Sequence, residues 1–169
     1  MSCFSSFCFS SHAQLWNLFV LDVLVKRWAL HSLQYQSLSV GPYLTFELSL
    51  NRGVSWSMFS SENPYVFAAV TFVVGFFLAF FAWVTYARKQ RGQCSFAETL
   101  VIVGGTGNFF DRIFYGGVVD YIHVHYGAWS FPIFNIADVC IVTGVFLMVV
   151  QIVFTTVIPR ERSRSSAKH

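Results

Sequence analysis

The chain has 169 residues, of which 55% are hydrophobic and only 11% are charged, and its mean hydropathy is +0.56. Disorder is excluded because it requires low hydrophobicity and high net charge. A soluble domain usually has about 25% charged residues, so a lipid bilayer is the expected solvent. The net charge of +3 is too small to indicate nucleic acid as a partner. The length predicts a single domain, residues 1–169.

Four apolar segments are candidate membrane spans: residues 13–30, 63–87, 96–114 and 138–159. The second and fourth are the clearest; the second, as a helix of about 37 Å, is long enough to cross a core of about 30 Å. The first and third contain charged residues, which in a helix bundle face the interior. The first segment could instead be a signal peptide, but it has no basic start and no clear cleavage site.

Positive charge predicts the orientation of the chain, because Lys and Arg are enriched on the cytoplasmic side. Seven of the eleven Lys and Arg residues lie after the second or fourth span: Arg88, Lys89, Arg91, Arg160, Arg162, Arg164 and Lys168. We therefore expect both termini, including a basic tail at residues 160–169, in the cytoplasm. Residues 33–62 and 115–134 then lie outside.

Two stretches of these outer segments, residues 43–50 and 117–126, are rich in residues that favour strands. The expected fold class is therefore a mainly α membrane protein. It has four transmembrane helices and a small β element on the outer, periplasmic face.

All four aspartates fall on the outer side in this topology: Asp22, Asp111 and Asp138 near the outer ends of spans, and Asp120 in the outer loop between the third and fourth spans. A carboxylate at membrane depth costs about 2.5–3.5 kcal/mol on insertion scales, so it needs a partner or a function. Asp22 and Lys26 are four residues apart and can pair on one helical face. Asp120 and Asp138 have no obvious cation nearby in the sequence.

Two adjacent carboxylates repel each other, which raises one pKa, and the pair then shares a proton. One member can take a proton from water while the other donates a proton to a carbonyl oxygen, as in an aspartic protease. This chemistry requires no metal and no cofactor. A structural pair or a proton relay is the alternative, but a relay would distribute ionisable residues across the membrane rather than on one side.

Several other residues have both a structural and a functional interpretation. Asp111 can pair with Arg112 or with a nearby asparagine, and Arg112 can instead contact substrate. His123 and His125 share one face of a predicted strand, but no third metal ligand is evident, so water-facing polar residues are the default. The small residues of Gly104–Gly107 indicate close helix packing rather than a phosphate loop.

Three motifs occur in order: G-N-F-F-D-R at 107–112, V-V-D-Y-I at 118–122 and F-N-I-A-D at 134–138. Their order and spacing resemble those of lipoprotein signal peptidase, also called signal peptidase II. Asn51-Arg52-Gly53 resembles an earlier N-x-G element of that family. The resemblance covers about residues 22–158.

The sequence departs from the family pattern in two places. A first-span element, D-Q-x-[ST]-K, reads Asp22-Val23-Leu24-Val25-Lys26 here, without the glutamine and the hydroxyl residue. The small apolar residues that usually follow N-x-G are Val54-Ser55-Trp56. An inactive relative of the peptidase is therefore an alternative, although neither departure affects the two aspartates.

The resemblance implies an aspartic endopeptidase that removes the signal peptide from diacylglyceryl-modified bacterial prolipoproteins, cutting before the lipidated cysteine. It implies Asp120 and Asp138 as the catalytic dyad. It also implies a set of residues that bind substrate or support the site: Asn51, Gly53, Asn108, Asp111, Arg112, Asn135, Asp22 and Lys26. No metal or cofactor is expected.

The same resemblance implies a multi-pass protein of the bacterial inner membrane, with its active site near the periplasmic face. The expected partners are the diacylglyceryl-prolipoprotein substrate, membrane lipid and a cyclic peptide inhibitor of the globomycin type. We expect the protein to act as a monomer.

Overall fold

The computed structural model describes residues 2–53 and 63–156, with side chains for 15–53 and 63–154. Within these residues the elements in chain order are α1 (Ser2–Ser32), β1 (Leu38–Ser39), β2 (Leu44–Asn51), α2 (Pro64–Gln90), α3 (Phe96–Tyr115), β3 (Val118–Tyr126), β4 (Trp129–Ser130) and α4 (Ile136–Thr156). The departure at residues 54–56 and the basic tail at 160–169 lie outside the described residues.

Each predicted span overlaps one of these helices, but the helices differ in character. Among the described residues, only Pro64–Gln90 and Ile136–Phe154 are both long enough and apolar enough to cross a membrane. The other two helices, α1 and α3, contain buried charged residues that lower their hydropathy. The fold is thus mostly helical, with two strongly apolar helices. Of the four predicted transmembrane helices, these two have the length and hydropathy of a membrane span.

Helix α3 lies at the centre of the bundle, and three of its glycines each allow a different helix to approach. An added β-carbon would overlap the carbonyl oxygen of Ala137 at Gly104, would lie 2.5 Å from Leu78 Cδ2 at Gly105, and would lie 2.8 Å from the Asp22 carboxylate at Gly107. These neighbours belong to α4, α2 and α1 respectively. The glycine-rich stretch therefore serves close helix packing, as the sequence predicted.

Helix α2 presents large apolar side chains away from the other helices. Phe72 is 75% exposed and Trp83 is 65% exposed, and none of the most apolar window of α2 is buried inside the protein. Such a surface is unfavourable in water and is suited to lipid.

The four described strands form one antiparallel sheet in the order β1-β2-β3-β4. The predicted strands at 43–50 and 117–126 correspond to β2 and β3, whereas the two-residue strands β1 and β4 were not predicted. The sheet contacts α1 through a buried cluster of Ala29, Leu33 and Tyr121, against which Val25 packs. The start of β3 is therefore held close to the helices.

Candidate active site

Helix α4 begins with a reciprocal pair of hydrogen bonds between Asn135 and Asp138. The backbone N–H of Asp138 donates to Asn135 Oδ1 at 2.9 Å, and the backbone N–H of Asn135 donates to Asp138 Oδ2 at 3.1 Å. This is a capping box, in which the residue before the helix and the third helical residue satisfy each other's backbone groups. The local sequence F-N-I-A-D thus fixes the position of the Asp138 carboxylate.

Asp120 lies in the buried first half of β3 and is only 2% exposed. In the β2–β3 register Asn51 pairs with Val118, two residues before Asp120, so Asn51 and Asp120 are diagonal neighbours on one face of the sheet. Asn51 Nδ2 donates to Asp120 Oδ2 at 3.1 Å. The strand pairing therefore brings together two residues that are far apart in the chain.

Asparagine side chains join the two aspartates. Asn135 Nδ2 donates to Asp120 Oδ1 at 2.7 Å, while the backbone of the same residue binds Asp138. Asn108 Nδ2 donates to Asp138 Oδ1 at 2.8 Å. Both carboxylates therefore accept hydrogen bonds from neutral amides, and among the described residues neither forms an ion pair.

The environment of Asp120 favours its protonated form. Burial, followed by the negative charge of Asp138, raises the pKa of Asp120 to about 7, against the opposing effect of hydrogen bonds from Asn51 and Asn135. This carboxyl group therefore keeps its proton to a higher pH than an ordinary aspartate does.

Next to this pair, Lys26 is buried among acceptors and is 2% exposed. Its Nζ lies 2.8 Å from Asp22 Oδ2, 2.8 Å from Asp111 Oδ2 and 2.9 Å from Asn108 Oδ1. The ammonium group therefore forms ion pairs with two carboxylates and a hydrogen bond with an amide oxygen. The Asp22–Lys26 pairing predicted from their spacing is confirmed.

Asp22 and Asp111 also bind backbone amides. The N–H of Ala137 donates to Asp22 Oδ1 at 3.0 Å, and the N–H of Val119 donates to Asp111 Oδ2 at 3.1 Å. These two bonds attach α1 to the start of α4 and α3 to the start of β3. They hold in place the chain segments that carry the two site aspartates.

Arg112 does not pair with Asp111, so that sequence interpretation was wrong. Its guanidinium donates to the carbonyl oxygens of Gly53 and Arg52 and lies 5.6 Å from the centre of the Phe67 ring. Gly53 is held in turn by its own N–H, which donates to Asn51 Oδ1 at 3.0 Å. Arg112 therefore secures the backbone that follows β2, and Lys26 takes the position of cation for Asp111.

All ten predicted site residues belong to one connected network of hydrogen bonds and ion pairs: Asp22, Lys26, Asn51, Gly53, Asn108, Asp111, Arg112, Asp120, Asn135 and Asp138. Sequence reasoning missed the backbone groups of Val119 and Ala137 and the ring of Phe67. No side-chain pattern identifies such partners. In the altered first-span element, Val25 packs in the apolar cluster with Ala29 and Tyr121.

The two histidines of β3 lie apart from this network and have partners of their own. His123 Nδ1 is 2.6 Å from Glu47 Oε1, and its Nε2 is 2.6 Å from Ser130 Oγ. His125 Nε2 is 3.0 Å from Thr45 Oγ1. Among the residues that the structure describes, no group of three or more His, Cys, Asp or Glu residues has a metal-binding arrangement. These contacts connect neighbouring strands.

Known proteins resemble this chain over most of its length. A family model described as signal peptidase (SPase) II matches residues 15–154. A lipoprotein signal peptidase of Coxiella burnetii (strain RSA 331 / Henzerling II) is 36% identical over 140 residues, covering 80% of this chain and 85% of that protein. One from Shewanella woodyi is 34% identical over 136 residues, covering 79% and 77% respectively.

Two solved structures share the fold. One, titled "Bacterial membrane enzyme structure by the in meso method at 2.3 A resolution", has a TM-score of 0.68 at 25% identity and covers 88% of this chain and 90% of its own. The second, with the same title at 1.9 Å resolution, has a TM-score of 0.61 at 24% identity and covers 85% and 92%. The match over residues 15–154 and the relatives at 36% and 34% identity show that this chain, which has the fold of these membrane enzymes, belongs to the signal peptidase II family.

Proposed function

We propose that this protein is an aspartic endopeptidase that removes the signal peptide from diacylglyceryl-modified prolipoproteins, cutting before the lipidated cysteine. One observation carries the proposal. Asp120 and Asp138 are both bound to Asn135 and, within the part of the chain that the structure describes, accept hydrogen bonds only from amides, beside a second carboxylate pair that forms ion pairs with Lys26. A carboxyl pair without a cation can share one proton, which is the state that aspartic proteases use.

The roles within the pair follow from the surroundings of each carboxyl group. Asp120 holds the shared proton, because its pKa is raised to about 7 by burial and by the charge of Asp138. Asp138 is the base. Its carboxylate lies at the N-terminus of α4 and accepts a backbone N–H, and a helix N-terminus stabilises negative charge.

The reaction then proceeds by general acid–base chemistry. Asp138 takes a proton from a water molecule, whose oxygen bonds to the scissile carbonyl carbon, while Asp120 gives its proton to the carbonyl oxygen. When the tetrahedral intermediate collapses, the C–N bond breaks, the proton now on Asp138 passes to the departing nitrogen, and one hydroxyl of the intermediate returns its proton to Asp120. The products are the signal peptide with a new carboxyl group and a lipidated cysteine with a free α-amino group.

The remaining network residues position the pair. Asn108 and Asn135 hold the two carboxyl groups, and Lys26 fixes Asn108 through its side-chain oxygen. Arg112, Gly53 and Asn51 hold the strand end next to Asp120. No metal or cofactor takes part in this scheme.

The membrane arrangement is part of the proposal. Helices α1 and α3 cross the bilayer beside α2 and α4, so that four transmembrane helices place both termini in the cytoplasm of a bacterial inner membrane. The sheet and the site then lie near the periplasmic face, where water and a membrane-anchored substrate meet. We further propose that the protein acts as a monomer and that a globomycin-type cyclic peptide competes with the substrate.

The test uses purified protein in detergent or lipid with a diacylglyceryl-modified prolipoprotein, and follows the loss of the signal peptide by mass spectrometry. Cleavage before the lipidated cysteine by the wild type, but not by Asp138→Asn, supports the proposal. Glu47→Gln is the matched control, because it also changes a carboxylate to an amide, and Glu47 in β2 binds only His123 among the described contacts. Folded wild type that does not cleave would support an inactive relative, and cleavage by Asp138→Asn would remove the dyad.

A further inference from the structure

Three polar side chains on neighbouring strands of the sheet form one line of contacts: Glu47 of β2, His123 of β3 and Ser130 of β4. His123 Nδ1 lies 2.6 Å from Glu47 Oε1, and His123 Nε2 lies 2.6 Å from Ser130 Oγ. We call these three residues the sheet triad. Both distances are those of hydrogen bonds, so the imidazole ring is held through both of its nitrogens.

The chemistry of these groups determines which nitrogen of His123 carries the proton. A carboxylate can only accept hydrogen bonds, so the Nδ1–H group of His123 donates to Glu47. In the neutral ring Nε2 is then an acceptor, and the Ser130 hydroxyl donates to it. A hydroxyl bound to an imidazole that a third group orients is the arrangement that activates a serine nucleophile.

The exposure of the sheet triad leaves its hydroxyl open to reagents. Ser130 is exposed to solvent, whereas the side chain of His123 is only 22% exposed. The nucleophile can therefore meet a molecule from solution, while the base that takes its proton is partly shielded from water.

The backbone of Ser130 provides a donor for the negative charge that such a reaction creates. Strand β4 is the last strand in the sheet order, so one edge of it is open among the described residues. Along an antiparallel strand, N–H groups point alternately toward the partner strand and away from it. The N–H of Phe131 donates inward, to Val124 O at 2.8 Å, so the N–H of Ser130 points to the open edge. The N–H of the nucleophilic serine itself is a known oxyanion donor.

We propose that the sheet triad is a nucleophilic site separate from the two aspartates, and that it cleaves a carboxylic ester. Ser130 is the nucleophile, His123 is the general base, and Glu47 is a positioning residue that orients the imidazole. An ester suits an open site with one backbone donor better than an amide does, because an alkoxide is a better leaving group than an amine.

The reaction has two halves, and His123 moves one proton in each. Ser130 Oγ bonds to the ester carbonyl carbon while its proton passes to His123 Nε2, and the N–H of Ser130 donates to the oxyanion. The C–O bond to the alcohol then breaks, and Nε2–H gives its proton to the departing oxygen. Water attacks the acyl-serine with the same base, which releases the carboxylic acid and restores the Ser130 hydroxyl.

The first measurement is labelling with a fluorophosphonate, in which the serine oxygen bonds to phosphorus, fluoride leaves and the base takes the hydroxyl proton. The purified full-length protein is treated in detergent, and the modified residue is located by mass spectrometry. Label on Ser130 in the wild type supports the proposal. The label is absent from Ser130→Ala and forms about a hundredfold more slowly in His123→Gln, because the general base is lost.

Two matched controls separate base catalysis from sheet packing. Ser39 is an exposed strand serine whose hydroxyl donates to Gly41 O, so Ser39→Ala leaves the labelling of Ser130 unchanged. The ring of His125 lies 5.1 Å from that of His123, but its Nε2 contacts Thr45, so His125→Gln also retains the label. Equal slowing in both histidine variants, or no label on Ser130 in folded wild type, would overturn the proposal.

The second measurement follows the release of p-nitrophenol from p-nitrophenyl butyrate. Hydrolysis by the wild type and by Ser39→Ala, but not by Ser130→Ala, supports the ester as the substrate class. Equal rates in wild type and Ser130→Ala would contradict it. Neither measurement uses a prolipoprotein, so a wild type that fails to cleave prolipoprotein would contradict the proposed peptidase function without affecting these results.

Discussion

Two pairs of aspartates lie side by side at one end of this helix bundle, and they differ mainly in what lies between them. Asp22 and Asp111 share the ammonium of Lys26 at 2.8 Å each. Asp120 and Asp138 share Asn135, a neutral amide. A cation forms ion pairs with both members of the first pair, whereas an amide orients the second pair without neutralising it. Aspartate side chains thus have a structural role in the first pair and are suited to proton transfer in the second.

The comparison also explains why the two pairs are adjacent. Asn108 accepts a hydrogen bond from Lys26 and donates one to Asp138, so the ion cluster orients the amide that holds the second pair. Backbone bonds from Val119 and Ala137 to the first pair fix the chain one residue before each member of the second. The first pair therefore positions the second.

The largest effect is expected from replacing a member of the second pair. Asp120→Asn lowers kcat at least about a thousandfold, because the pair can no longer both accept and donate a proton. The protein still folds, since no ion pair is broken. Cleavage rate and thermal unfolding measured on the same sample separate the two properties. An active Asp120→Asn variant would mean that the second pair does not carry out the proton transfer that distinguishes it from the first pair.

Replacing the cation of the first pair is expected to affect stability instead. Lys26→Met leaves Asp22 and Asp111 buried without a counter-ion, and breaking a buried ion pair costs about 3–5 kcal/mol. Thermal unfolding in detergent measures this loss. Glu47→Gln serves again as a control that removes an acidic group elsewhere. Unchanged stability of Lys26→Met would show that Lys26 does not hold the cluster together.

The pH dependence sharpens the contrast between the pairs. The folded-state pKa of Asp120, about 7, is higher than the ordinary value of 3.8, so the folded protein binds this proton more tightly than the unfolded chain. The resulting stability is fully present below about pH 4 and is lost as pH rises through 7. The Tm of Asp120→Asn relative to wild type should therefore rise between pH 5 and pH 8. A constant difference would contradict the raised pKa.

The cleavage activity should depend on the same proton, the one held by Asp120. As pH rises above about 7, Asp120 loses the proton that it donates to the carbonyl oxygen, and kcat/KM falls about tenfold per unit. A cleavage profile from pH 5.5 to 9 measures this descending limb. A profile flat to pH 9 would mean that Asp120 does not supply the proton.

A smaller effect is expected from one of the amides. Asn51→Ala removes a hydrogen bond to the charged form of Asp120, which raises the pKa of Asp120 further and moves the descending limb up by at most about one pH unit. Ser49→Ala is the control, because Ser49 pairs directly with Asp120 in the sheet without a side-chain bond to it. Equal shifts in the two variants would show that strand packing, and not the amide, sets the pKa.

No effect is expected from chelators. His123 and His125 contact Glu47, Ser130 and Thr45 across the sheet, at a distance from the network of the two aspartate pairs. EDTA should leave the cleavage rate unchanged. A loss of activity that zinc restores would return these histidines to the site.

Much of this protein follows from sequence alone, for physical reasons that are local. Long uncharged runs predicted α2 and α4, because a bilayer demands about twenty apolar residues. Strand-forming residues predicted β2 and β3. The Asp22–Lys26 pair also follows from helical spacing. The three motifs led to the signal peptidase II family before any geometry was known.

The tertiary structure determined which charged side chains form ion pairs with each other. The sequence offered Arg112 or a nearby asparagine as the partner of Asp111, but consecutive residues of a helix point in different directions, and Lys26 of α1 is the partner instead. The positioning of Asn51 beside Asp120 depends on the β2–β3 register, and the sheet triad exists only where three strands meet. Local periodicity determines which face of an element is buried, and only packing between distant segments determines what that face touches.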